Sequence, residues 1–529
     1  LEQIEIGQHP NRTKTNNQKI MESFTQISPL RVAKTTGIVV GILILISFVY
    51  PRDGITVFGK TFYFISARDV IENHDNNFNA DNWVSGRLDD LQAEFDKLEQ
   101  LSKETKAQKA LELANADKSR IFFPNYERDA LDNFFESLFN IAETNEQVRI
   151  IHYGDSQIEE DRISSYIRRE LQARFGGGGL GIVSARPIGG SISASHAYSN
   201  NWKRYTAFSL TGSPLDNKRY GAYGITCKYV GNSSDKNFPE YEEEENAEAS
   251  EDEEPFEFMD KNRGYVTIRP TDKNNPNLFN FDRVRVFIGN VEENIKLSVV
   301  TDKGQYQENI TAGLNYKDFN FSFNGTPSSV SVTFSGGASP EVYGISLESS
   351  SGVVLDNIAM RGSDGSVFVK FQQTLAKSMF ADLNPKLIIL QYGGNAMPVI
   401  SSEKVAKSYG KQLTNSINFI RRYCPNVSIL FIGPADMCKT VNGQLQTYPM
   451  METMIKELKN VCTENNVAFF SMYDAMGGKN SMIQWVKQGL AVSDYIHFNR
   501  RGAEKMSEIL FKYLMLEYEL FLIKTGRDS

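Results

Sequence analysis

Residues 148–156 read Val-Arg-Ile-Ile-His-Tyr-Gly-Asp-Ser, and the chain turns helical directly after them. Val148–His152 is a short, mostly apolar run closed by a glycine turn, the pattern of a strand buried inside a sheet. Ile158 to Phe175 then carries apolar residues at helical spacing. Four consecutive glycines, Gly176–Gly179, end that helix and predict a flexible loop. Gly154-Asp155-Ser156 thus lies at the carboxyl end of a strand, where open parallel sheets place their ligands. A serine there has the free N–H groups of a helix start beside it, able to hold an anionic oxygen. Taken alone the tripeptide is weak evidence, since a helix N-cap by Asp155 or Ser156 explains it equally well.

Strands and helices alternate again after Val353. Leu387–Gln391, Val427–Ile432 and Val467–Ser471 read as strands. Phe368–Ala381, Ser402–Tyr423, Met451–Asn465 and Ala503–Leu520 read as helices. That alternation predicts a three-layer α/β/α fold around a parallel sheet, with Val148–His152 as its first strand. The α/β domain is therefore split into 146–200 and 353–529. Between them, 201–352 reads as an all-β sandwich insertion, with strands at Tyr265–Ile268, Val284–Ile288, Ile295–Thr301 and Val330–Phe334. Its acidic run, 240–257, predicts a solvated loop, because adjacent like charges repel. Trp202, Tyr205, Tyr220 and Tyr223 are its candidate sugar-facing aromatics, though core packing explains them better.

Upstream, residues 32–50 are apolar apart from Lys34, Thr35 and Thr36, close to the length that spans a bilayer. Arg31 and Lys34 precede the main apolar run. The positive-inside rule then makes 1–31 a cytoplasmic tail and 32–50 a transmembrane anchor, with the remainder on the far side. The bulky, charged Val49-Tyr50-Pro51-Arg52 is a poor cleavage site, which favours an anchor over a removed signal peptide. Residues 51–145 carry two amphipathic helical patterns, Leu88–Ala114 and Glu127–Glu143, and read as an extracytoplasmic stalk or linker.

The chain has 529 residues, 40% of them hydrophobic and 23% charged, which predicts several folded domains rather than disorder. A net charge of −8 argues against nucleic acid as a partner. The four cysteines include no Cys-x-x-Cys pair, and no motif calls for a metal or cofactor.

Three further segments carry chemistry. Asp494 and His497 lie just before the last helix. At that spacing the carboxylate can meet one ring nitrogen while a serine meets the other. Gly393-Gly394-Asn395 follows strand 387–391, and an Asn395 amide there can donate to an oxyanion. Arg361-Gly362-Ser363-Asp364-Gly365 marks the return from the insertion, where a glycine lets backbone approach a substrate oxygen. Each segment is also an ordinary turn or cap. Their order, each in a loop beside the sheet, makes the combination informative.

Together these blocks resemble the SGNH (GDSL-type) hydrolase superfamily, over roughly residues 146–200 and 353–522. Gly-Asp-Ser-Gln at 154–157 departs from that family's usual leucine after the serine. The resemblance implies Ser156 as nucleophile, His497 as base and Asp494 as its partner. It also implies an oxyanion hole from the Ser156 and Gly365 N–H groups and the Asn395 amide, with Gly362 as the fallback. No metal or cofactor is implied. The Arg174–Gly181 stretch (RFGGGGLG) with the β-insertion is similar to bacterial peptidoglycan O-acetylesterases, whose insertion resembles a carbohydrate-binding module. The stretch 477–485 is similar to membrane-anchored relatives. Those likenesses imply an esterase on O-acetylated cell-envelope glycans, tethered to the bacterial inner membrane and facing the periplasm. The alternatives are an O-acetyltransferase working beside a membrane acyltransferase, and an inactive glycan-binding scaffold.

Overall fold

The computed structural model describes residues 55–57, 60–62, 79–99, 120–125, 127–208, 214–230 and 262–527. The expected anchor at 32–50, the expected tail at 1–31 and the acidic run at 240–257 lie outside the described residues. Among the described residues, no helix is long and apolar enough to cross a membrane. Ile55–Val57 and Lys60–Phe62 pair as an antiparallel ladder in a compact unit separate from the one described below.

The centre of the larger unit is a five-stranded parallel sheet. Its strands are β1 (Gln147–Gly154), β2 (Gly352–Ala359), β3 (Pro385–Gln391), β4 (Ser428–Gly433) and β5 (Ala468–Ser471), in spatial order β2-β1-β3-β4-β5. Both faces of β1 are covered, so Val148, Ile150, Ile151 and Tyr153 are all buried. Its two buried polar side chains, Arg149 and His152, have polar partners. Arg149 forms ion pairs with Asp356 (2.7 Å) and Glu348. His152 binds Gln391 at 3.0 Å and Ser164 at 2.8 Å. Strand β2 went unassigned in the sequence pattern; Asp356 and Asn357 interrupt its apolar run.

The covering helices are α1 (Ala80–Glu99), α2 (Asp132–Thr144), α3 (Ser164–Phe175), α4 (Gln373–Leu383), α5 (Glu403–Tyr423), α6 (Met451–Glu464) and α7 (Arg500–Thr525). The expected stalk at 51–145 is different where it is described. Helix α1 begins at Ala80, and its Ala80, Val84, Leu88 and Leu91 are buried. Asp81 pairs with Arg501 and Lys505 of α7, both at 2.5 Å. Phe122 adds an antiparallel bridge to Phe469 at the β5 edge, and α2 packs Phe134, Phe135 and Leu138 inward. Residues 80–99 and 120–144 therefore belong to the globular domain, because their apolar faces bury against it.

The insertion is a sandwich of two antiparallel sheets. One has the order 304–310, 295–301, 330–336, 263–270, 194–198. The other has 316–322, 283–289, 341–348, 225–229, 202–206, with 181–183 paired to 341–348. It begins at Gly181, about twenty residues before the expected boundary, since 181–183 and 194–198 are sandwich strands. Trp202, Tyr220 and Tyr223 are buried and Tyr205 is half-buried, so these aromatics serve mainly as packing.

The glycine run is not a flexible loop. Gly177 bridges in parallel to Val353 and has a φ of +106°. A Cβ on Gly177, Gly178 or Gly179 would overlap the backbone of Val353, Asn280 or Leu347. The run is glycine because three backbones cross there, between sheet and sandwich. The buried cluster of Arg149, Glu348, Asp356, Arg283 and Arg285 lies at the same junction.

Candidate active site

Strand β1 ends at Gly154, and a short 3₁₀ turn, Ser156–Asp161, opens immediately. Asp155 caps it, its carboxylate accepting the Gln157 N–H at 3.0 Å. Burial pushes the Asp155 carboxyl up to about 6. Ser156 is therefore the first residue of the turn, and the first N–H groups of any helix lack partners within it. The turn ends in positive φ at Glu160 (58°) and Asp161 (64°), with Asp161 held by Arg168 at 2.5 Å.

His497 arrives from the other end of the chain, in the loop before α7. Ser156 Oγ and His497 Nε2 are 2.7 Å apart, and His497 Nδ1 is 2.6 Å from Asp494 Oδ2. The other Asp494 oxygen accepts the Ile496 N–H (2.9 Å) and the His497 N–H (3.0 Å). Tyr495, inside that turn, takes a φ of 59°. Partial burial opposes ionisation of Asp494, but the hydrogen bonds from the His497 ring and from these two N–H groups hold its carboxyl below its ordinary value. An ionised carboxylate only accepts, so the proton of neutral His497 sits on Nδ1. The Nε2 lone pair then faces the Ser156 hydroxyl, which donates to it.

One contributor went unread in the sequence. Gln157 Nε2 donates to the Ile496 carbonyl at 2.6 Å, and its Oε1 accepts the Phe498 N–H at 3.3 Å. The residue after the nucleophile thus grips the backbone on both sides of the base. Its only sequence signal was the departure from the family's leucine. Arg162 adds a bond to the Phe498 carbonyl at 3.2 Å.

Ser156 and His497 open on a cavity of about 160 Å³, with Asn395, Gly394, Pro434 and Met437 on its wall. Asn395 Nδ2 donates to the Ser363 carbonyl at 3.1 Å. An amide carries two N–H groups, so one remains for a ligand in the cavity. Gly365 is not brought to this cavity. Its N–H donates to Ser363 Oγ at 3.2 Å, and its Cα faces Tyr392, where a Cβ would come within 2.7 Å of the ring. It is a close-packing glycine with a φ of +86°. Gly362 is exposed, has a φ of +78° and open space around it, and does not line the cavity either. Of the expected oxyanion donors, the structure brings Ser156 and Asn395 together.

Beside the cavity, Asp436 is fully buried and pushed up to about 6 by burial. It accepts from Thr447 Oγ1 at 2.8 Å and from the Met482 N–H at 2.9 Å, tying the Pro434–Met437 wall to what lies behind it. Among the described residues, no group of His, Cys, Asp and Glu has the geometry to hold a metal ion.

No family model and no curated protein matches the chain. Among solved structures, it is similar to a peptidoglycan O-acetylesterase at 18% identity and a TM-score of 0.57, over 75% of this chain and 99% of that one. An acetyl xylan esterase matches at 13% identity and a TM-score of 0.24, over 30% of this chain and 79% of that one. A family two carbohydrate esterase from Clostridium thermocellum matches at 11% identity and a TM-score of 0.21, over 51% and 97%. At 18% identity, the first match bears on the fold. In fold, the chain resembles that peptidoglycan O-acetylesterase.

Proposed function

We propose that this protein is a serine esterase that removes O-acetyl groups from a cell-envelope glycan. The observation that carries this reading is the unbroken chain Ser156–His497–Asp494, at 2.7 and 2.6 Å, opening on a cavity at the carboxyl end of the sheet. The likeness in fold to a peptidoglycan O-acetylesterase supports the ester and the glycan. His497 Nε2 takes the Ser156 proton as Oγ adds to the acetyl carbonyl. The Ser156 N–H and the free Asn395 N–H stabilise the resulting oxyanion. Collapse expels the sugar hydroxyl with the proton from His497, leaving acetyl-Ser156. Water, deprotonated by His497, then releases acetate and regenerates the serine. A sugar hydroxyl in place of that water would make the same site a transferase. The apolar stretch 32–50 supports a tether to the inner membrane with this domain in the periplasm.

Acetate release from O-acetylated peptidoglycan and from an aryl acetate tests the reading. Activity that disappears in Ser156→Ala supports it, and equal activity in both proteins sinks it. Mass spectrometry of the products with an acceptor sugar present separates hydrolysis from transfer.

A further inference from the structure

The turn that opens with Ser156 is not a regular helix. Glu159 takes extended angles (φ −56°, ψ 159°), and Glu160 and Asp161 follow at φ 58° and 64°. Two consecutive non-glycine residues in the left-handed region carry a steric cost, and glutamate tolerates that region less well than aspartate. Such a backbone persists only where its surroundings hold it.

The α/β domain supplies part of that hold. Arg168 of α3 donates to both Asp161 oxygens at 2.5 and 3.2 Å, and Arg361 donates to both Glu159 oxygens at 2.6 and 2.8 Å. The insertion supplies the rest. Ser193 Oγ donates to Asp161 Oδ2, and the Ile192 N–H donates to the Glu160 carbonyl at 3.0 Å. Ser193 is buried, and its own carbonyl accepts the Thr271 N–H at 2.9 Å. Strand 194–198 begins at the next residue and pairs along 263–270, so the edge of a sandwich sheet presents both contacts. Just past the turn, Arg162 donates to the Glu159 carbonyl at 3.0 Å and to the Phe498 carbonyl, beside His497, at 3.2 Å. A turn that shifts therefore moves Ser156 at one end and loosens a contact to the backbone of its base at the other. Among the described residues, none that lines the catalytic cavity belongs to the insertion. The insertion reaches Ser156 through this turn.

We infer that Ile192 and Ser193 are positioning residues, through which the β-sandwich holds the Ser156 turn in its catalytic shape. The insertion is then part of the framework of the nucleophile, although it touches neither Ser156 nor His497. The effect on rate rests on the proposed ester chemistry; the hold on the turn does not.

The test compares the full-length wild type with Ser193→Ala and with Ser193→Ala/Glu160→Gly, by steady-state kinetics on an aryl acetate and by amide hydrogen exchange. Misplacing a reacting group by about 1 Å costs roughly 10²-fold in rate, so a partial release of the turn should lower kcat about tenfold with KM unchanged. Amides of 156–162 should exchange about tenfold faster or more, while those of β1 stay protected and show that the variant folds. Glycine takes positive φ without steric cost, so adding Glu160→Gly should recover most of the kcat, which a general loss of stability would not produce. Ser193→Cys, close in bulk and a weaker donor, should fall between wild type and Ser193→Ala. A Ser193→Ala kcat within about twofold of wild type, unchanged exchange at 156–162, or a loss that Glu160→Gly leaves in place would each overturn the inference. A wild type inert toward the aryl acetate would instead sink the esterase reading, and exchange at 156–162 would still decide whether the sandwich holds the turn.

Discussion

The Gln157 amide brackets His497: its nitrogen holds the Ile496 carbonyl and its oxygen holds the Phe498 N–H. Nucleophile and base lie 341 residues apart in sequence. The side chain next to the nucleophile fixes the distance between them. Its role is positioning, since it bonds only the backbone around the base.

Gln157→Leu removes both bonds with little change in bulk. Misplacing a reacting group by about 1 Å costs roughly 10²-fold in rate. The variant should therefore lose kcat on an aryl acetate by about that factor while KM changes little. Steady-state kinetics alongside the Tm checks it. A KM effect with kcat intact would mean that Gln157 contacts substrate instead.

Asp494 fixes the proton on His497 Nδ1, so Asp494→Asn should present the wrong tautomer to Ser156. Loss of a triad carboxylate to its amide in a serine protease costs on the order of 10⁴ in kcat. Here the carboxylate is more than a third exposed, so a smaller loss of about 10³ is expected. Because its carboxyl is held below the ordinary value, Asp494 stays ionised to lower pH than a free aspartate. It should therefore contribute no limb to the kcat/KM profile above about pH 4.

The two oxyanion candidates separate by kind of damage. Asn395→Ala should reduce kcat by roughly 10² with the Tm intact, as loss of one oxyanion donor does. Gly365→Ala should instead lower stability by on the order of 2 kcal/mol, since it combines a positive φ with overlap on Tyr392. Equal Tm values for wild type and Gly365→Ala would contradict the packing role assigned here.

Asp436 predicts a pH dependence of stability. Its folded pKa, about 6, lies above the ordinary value of 3.8. The protonated form is thus favoured by folding. The stability it contributes is fully present below about pH 4 and is lost as pH rises through 6. Asp436→Asn should remove that loss, by about 2–3 kcal/mol at pH 7. Urea unfolding at pH 4 and pH 7 measures it. A wild type that gains stability on the variant between those pH values would refute the assignment.

Periodicity made much of this architecture legible. Strand β1, the later strand–helix pairs and the β character of the insertion are all written in short-range apolar spacing. Ser156, His497 and Asp494 were legible because each residue type has a narrow chemical use and each sat in a loop beside a strand. Strand β2 was obscured because buried Asp356 and half-buried Asn357 are polar residues whose partners, Arg149 and Ser164, come from distant segments. The glycine run was misread for a related reason. Glycine marks both freedom and close approach, and only the backbones of Val353, Asn280 and Leu347 show which applies.

The sequence by itself therefore determined the layers, the order of the elements and the three groups of the candidate catalytic chain, because local pattern and side-chain chemistry suffice for those. Tertiary structure decided the rest. It placed Gln157 around His497, turned Gly365 from an expected donor into a packing contact, and joined residues 80–99 and 120–144 to the globular domain. Each of these depends on distances between residues far apart in the chain, which folding sets and which no local pattern encodes.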